Sequence, residues 1–252
     1  MLAAMAKDED ETTAGGIPIK RHQARERGWR PPAESTGAEH IERHVARHFG
    51  AVASVFHEIV SELVHIDVHV IEPRPERDRW TLFTTGMSDL AMKAPDGAAD
   101  LAYAELMISL PASWRVDRIA ATPPPADVER WYWPVRWLKQ LARMPHEYET
   151  WLGAGHTIPN GDPAEPFAPD TKLCGWMLLP PLEVPAEALQ VALPDGRTVH
   201  LLALHALYAE EMALKLAKGT AALLDAMDRA GVSEVLTPDR APVKRRKRFG
   251  LF

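Results

Sequence analysis

Apolar residues change their spacing once between His40 and Val70, and that change constrains the fold more than any other feature of the chain. From His40 onward Ile41, Val45, Phe49, Val52, Phe56, Ile59 and Leu63 recur at steps of three and four, which places them on one face of an amphipathic helix reaching Leu63. Val64, Ile66, Val68 and Val70 then alternate with His65, Asp67 and His69, as in a strand with one buried face. A helix feeding a strand in this way has to lay its apolar stripe on a sheet. Pro73 and Pro75 end the strand, Trp80 to Thr85 reads as the next one, and Gly86 supplies a turn, so a hairpin is expected.

Further elements follow the same logic. Tyr103 to Leu110 is a third strand, Pro123-Pro124-Pro125 breaks the chain, and Trp133-Pro134 is expected to open a helix carrying Val135, Leu138, Leu141 and Ala142. Strands are expected at Leu173 to Leu179, Leu189 to Leu193 and Val199 to Leu204, the last two joined by Pro194-Asp195-Gly196. The helical period returns from Tyr208 to Ala230, with Gly219 as a kink or break and Gly231 as a C-terminal cap. Strands come in runs between helices, which indicates one α+β domain over residues 39–236. Residues 1–38 and the basic stretch 237–252 lack periodicity and read as disordered tails.

Composition narrows the class. A chain of 252 residues, 46% hydrophobic and 25% charged, is long enough to bury a real core and is neither fibrous nor low in complexity. No run approaches the roughly 18 apolar residues of a membrane span, and Met1 to Asp10 is acidic where a secretory leader would be basic, so a cytoplasmic location is expected. Cys174 is the only cysteine, which excludes an internal disulfide and reads as a small buried residue. The net charge of −6 includes the cationic run Lys244 to Arg248, so the folded part is more acidic still, favouring a basic partner and disfavouring nucleic acid. The cationic run reads as a solvated tail, with nucleic-acid contact as the alternative.

Eleven histidines raise the question of metal chemistry, above all in His65-x-Asp67-x-His69. On a strand the β-carbons of His65 and His69 stand about 13 Å apart, too far to share one ion. His40, His44 and His48 are spaced i, i+4 and i+8, and His57-Glu58 meets Ser61 where a zinc-binding helix would place a second histidine. No metal and no cofactor is therefore expected. A metal-dependent hydrolase using His65, Asp67 and a distant group such as His156 is the alternative. Gly86-Met87-Ser88-Asp89-Leu90 begins like a nucleophile elbow, but Leu90 replaces the second glycine, leaving a turn. Trp131, Trp133, Trp137 and Trp151 cluster in the middle of the chain as core, with one or two available for contact.

Several stretches taken in order are similar to the suppressor of fused family in its bacterial form. They are His57 to His69, Thr84 to Asp89, Ala104-Glu105-Leu106, Trp133-Pro134, Leu141-Ala142-Arg143, Gly155-His156-Thr157, Leu178-Leu179-Pro180, and Glu210-Glu211-Met212 followed by Gly219 and Leu223-Leu224. The resemblance implies an α+β fold with a mixed, largely antiparallel sheet flanked by helices, and a non-catalytic role in binding another protein. Animal members sequester transcription factors, and bacterial members look like immunity proteins that neutralise a toxin, here possessing a basic domain as the expected partner. The resemblance further implies capture of an extended peptide by strand addition near Leu141-Ala142-Arg143 and Gly155-His156. Arg143, Met144, His156 and Asp67 are the expected partner-binding residues, Met144 standing where the family carries an aromatic.

Overall fold

The computed structural model describes residues 11–16, 19–23 and 29–243. Among them lie helices α1 (Ala38–Phe49), α2 (Val116–Ala120), α3 (Val128–Glu147), α4 (Ala209–Lys218) and α5 (Thr220–Arg229). The strands are β1 (Val52–Phe56), β2 (Asp67–Ile71), β3 (Arg79–Thr85), β4 (Ala104–Pro111), β5 (Thr157–Pro159), β6 (Gly175–Leu179), β7 (Gln190–Ala192) and β8 (Thr198–Leu207). They form one eight-stranded sheet ordered β1-β2-β3-β4-β8-β6-β5, with β7 also pairing β8. Only the β4–β8 pair is parallel. The expected mixed, largely antiparallel α+β architecture is therefore present; β1 and β5 end the main strand order, and β7 pairs with β8 alone.

Alternation along the central strands divides the apolar side chains between two faces. Val68, Val70, Leu82, Leu106 and Ile108 point into one core beneath α3, whose Trp133, Leu138 and Leu141 are buried there. Ile71, Phe83 and Met107 point the other way, where Ile41, Val45 and Phe49 of α1 cover them. Burying each such side chain stabilises the fold by about 1.5–3 kcal/mol before entropy is counted. A third cluster joins Met177 and Leu207 to Leu214, Leu223 and Met227 of the α4–α5 pair.

Two helix boundaries differ from expectation. The first helix stops at Phe49, not Leu63, because Gly50 takes φ +127°, outside the reach of ordinary side chains, and the chain then turns into strand β1. Val52 and Phe56 continued the helical spacing by coincidence, and Ile59 is 96% exposed. His65 accordingly precedes β2 instead of lying on it. The middle helix begins at Val128, and Pro134 sits inside it with its ring in the core. Its missing N–H leaves one rung of the helix unmade, a cost offset by burial beside Trp133, which stacks on Phe167 at 5.4 Å. Gly219 does divide the last helical stretch into α4 and α5, and Cys174 is buried.

The limits of the packed body are less sharp than 38 and 236. The Ala33 N–H donates to Leu63 C=O (2.8 Å), and the Arg197 guanidinium donates to Thr36 Oγ1 (2.6 Å). At the other end Thr171 Oγ1 donates to Pro238 C=O (2.6 Å), and Val243 is buried. Apart from Val243, which joins the third apolar cluster, these are hydrogen bonds, which leave no apolar period to read. The cationic run 244–248 lies outside the described residues.

Candidate protein-binding surface

The irregular segment between β1 and β2 gathers a polar cluster. Asp67, at the start of β2, uses both carboxylate oxygens: Oδ2 lies 2.9 Å from His57 Nδ1, while Oδ1 accepts from the Glu58 N–H at 3.0 Å and lies 3.1 Å from His65 Nε2. Glu58 turns inward, accepting from Ser61 Oγ (2.8 Å) and from the Ile66 N–H (3.2 Å), and it forms an ion pair with Arg143 of α3. Ser61 Oγ also lies 2.7 Å from His65 Nδ1, and Lys139 Nζ donates to Phe56 C=O at 3.2 Å. Burial works to raise the Asp67 carboxyl, but the Glu58 N–H and the two imidazoles overrule it and hold it below the usual carboxylate range. Burial lowers the Lys139 ammonium against the pull of Glu58 and Asp67.

Ser61, His65 and Asp67 thus form a chain of the kind hydrolases use. A nucleophilic serine passes its proton to imidazole and faces donors for an oxyanion. Ser61 Oγ lies within reach of both Glu58 (2.8 Å) and His65 Nδ1 (2.7 Å), and since the Glu58 carboxylate also holds the Ile66 N–H and Arg143, the hydroxyl ties two turns of one loop together. Gly86 completes the frame: with φ +102° it approaches so closely that a Cβ there would stand 1.8 Å from the His65 carbonyl oxygen. The product is a braced loop presenting Ile59 and Val60, 96% and 80% exposed.

Among the described residues no group of three or more His, Cys, Asp and Glu side chains converges as a metal site. The hydrolase set of His65, Asp67 and His156 does not assemble, because His65 and Asp67 lie by the β1–β2 end of the sheet and His156 precedes β5 at the other. The expected binding residues divide likewise. Arg143 and Asp67 meet through Glu58, Met144 packs against the main core, and His156 sits apart with its ring 4.4 Å from that of Trp151. Burial, followed by Lys215 and Lys20, lowers the His156 imidazole, leaving it neutral near pH 7.

The β5 edge has the geometry for strand addition. Gly155 N–H donates to Leu178 C=O (2.7 Å), Leu178 N–H to His156 C=O (3.0 Å), and Asn160 N–H to Cys174 C=O (2.8 Å). Gly155, at φ +83°, and His156 therefore share one partner, a bulge that aims the edge away from the sheet. Because main-chain groups alternate sides, Thr157 and Pro159 turn theirs outward. The open edge offers one N–H, from Thr157, and two carbonyls, proline having no N–H to give. The run leading into it lines an apolar cleft of about 200 Å³, bounded by Trp151, Leu152, Ala154, Pro180, His200 and Leu202. Sequence periodicity missed this strand, since three residues are too few to show a period. It missed His57, Glu58 and Ser61 as a cluster because it read them as helix.

The Suppressor of fused protein (SUFU) family model matches residues 62–241. Solved structures with the same fold include a protein described as a SUFU homologue from Neisseria gonorrhoeae, at 15% identity and a TM-score of 0.54, covering 83% of this chain and 95% of that one. A chain of the Sufu–Fu complex aligns at 14% identity and a TM-score of 0.56, covering 85% and 93%. Drosophila Suppressor of Fused aligns at 12% identity and 0.55, covering 86% of this chain and 52% of that one. No curated protein sequence matches. Among the described residues no helix is long and apolar enough to cross a membrane.

Proposed function

The chain belongs to the suppressor of fused family, and from that premise we propose that it is a non-catalytic domain that captures an extended segment of another protein along the β5 edge. The observation that carries this reading is the outward N–H and carbonyls of Thr157 and Pro159, which a ligand strand saturates, beside a cleft lined by Trp151 that accepts a side chain. His156 flanks the ladder, while Arg143 and Asp67 brace the loop at the far edge as positioning residues. Met144 acts through the core behind α3. A related chain exists in complex with Fu, which supports a protein as the partner class.

Within that reading the chain serves as an immunity protein that neutralises a toxin. The acidic balance favours a basic toxin domain, and the bacterial relative supports the bacterial setting. Affinity capture from the source cell, repeated with Thr157→Pro, tests the docking. The variant removes the one outward edge donor without touching a bond to β6, and recovery of the partner should fall at least about tenfold. Equal recovery contradicts the β5 edge as the site. Co-expression with the adjacent gene tests the immunity role, which fails if that product is harmless alone or remains toxic beside this chain.

A further inference from the structure

Residues described in the leading segment meet the body at α4, at the turn after α3 and just beyond β5. The Ala14 N–H donates to Leu216 C=O on α4 (3.0 Å). Arg21 pairs with Asp162, just beyond β5, through Nη1 at 2.5 Å, and with Glu11 of its own segment through Nη2 at 2.9 Å. His22 Nε2 lies 3.4 Å from Thr150 Oγ1, and its ring stands edge-on to Tyr148 at 6.5 Å between centroids, both residues preceding β5. Lys20 lies near enough to His156 to help lower its imidazole. The leading segment therefore bonds to Leu216, Asp162 and Thr150 and carries the Lys20 charge toward His156, the residue before β5.

We infer that this surface receives an extended basic segment of a partner protein, and that residues 11–16 and 19–23 lie against it in cis as a competing cover. The inference rests on the docking reading above and adds the chemistry of the ligand: a guanidinium for Asp162, followed by a planar ring for Tyr148 and Thr150. The charges are complementary, since Asp162 is an exposed carboxylate on an acidic chain and the cover presents Lys20-Arg21-His22. Its contacts are weak, because Arg21 and Asp162 are 58% and 72% exposed and water screens such pairs. A short tether supplies an effective concentration of about a millimolar, enough to keep a weak cover seated, while a partner of micromolar affinity displaces it. The cover thus blocks casual ligands and yields to the right one.

Amide exchange on the full chain tests the cover with no partner present. The Ala14 amide should exchange at least about tenfold more slowly than an unprotected amide, lose that protection in Arg21→Glu, and regain it in the charge swap Arg21→Glu with Asp162→Arg. Both sites are exposed, so the fold is not at risk, and circular dichroism of each variant checks this. Unprotected Ala14 in the wild type, or protection indifferent to Arg21→Glu, overturns the cover. If Ala14 behaves as expected, Arg21→Glu should raise partner recovery severalfold in the capture experiment, and unchanged recovery overturns the competition. Failure of the docking reading itself is read separately, from Thr157→Pro.

Discussion

Arg240 closes on Glu211 with two charge-assisted hydrogen bonds of 2.6 Å, tying the last described turn of the chain to the first turn of α4. Glu211 is fully buried, and it also accepts from the main-chain N–H groups of Tyr208 (2.9 Å) and Val243 (2.9 Å). Arg240 in turn donates to Ala206 C=O at 2.8 Å. One carboxylate therefore caps a helix and anchors the end of the packed body.

Arg240→Ala leaves that carboxylate buried and unpaired, and it should destabilise the fold by about 3–5 kcal/mol. Urea denaturation measures it. A cost below about 1 kcal/mol would place residues 237–243 outside the cooperative unit.

Phe49→Ala and Ile59→Asp test where the first helix ends. Phe49 is fully buried under β3, so its truncation should cost about 3–5 kcal/mol, whereas the 96% exposed Ile59 should accept a charge within about 0.5 kcal/mol. Comparable losses at the two positions would restore a helix running to Leu63.

Much of this fold was legible because period reports burial. Alternation located β2, β3, β4, β6 and β8, and the three-to-four spacing located α1, α3, α4 and α5. The first helix was overextended because Val52 and Phe56 fall on the spacing of α1 while β1 half-buries them by another geometry, and only Gly50 marked the change. The polar cluster was hidden by the same error. Asp67 and His65 were legible as a pair, but Glu58 and Arg143 meet only through the tertiary packing of α3. The β5 edge showed itself through the family resemblance at Gly155-His156-Thr157, since strand pairing distant in sequence leaves no local pattern.

Glu105 makes stability depend on pH. Burial drives its carboxyl from an ordinary 4.5 up to about 7, against hydrogen bonds from the Thr84 hydroxyl and from the Ser88 N–H and hydroxyl. Between pH 4.5 and about 7 the folded chain holds a proton that the unfolded chain releases. Stability from this group is therefore greatest below pH 4.5 and falls by up to about 1.4 kcal/mol per pH unit until pH 7, then levels. His205 contributes the opposite sign, because burial lowers its imidazole to about 4, so the difference between wild type and Glu105→Gln is what isolates the effect. Glu105→Gln should become progressively more stable relative to wild type from pH 5 to about 7 and then hold a constant lead, and a difference that stays constant across that window would place an ionised carboxylate in the core.

Gly86→Ala should cost more than about 2 kcal/mol, because its Cβ would drive into the His65 carbonyl at a backbone angle that side chains avoid. Imidazole NMR signals of His57 and His65 should shift with it, as the brace around Asp67 opens. Unmoved histidine signals would separate the turn from the loop.

The central claim is that a partner strand adds to β5, and amide exchange at Thr157 in the purified complex tests it most directly. This outward amide, which donates no hydrogen bond to the described residues of the leading segment, should become protected at least about tenfold on complex formation, while the braced segment between β1 and β2 exchanges at an unchanged rate. Protection confined to that braced segment, with Thr157 unaffected, would contradict it.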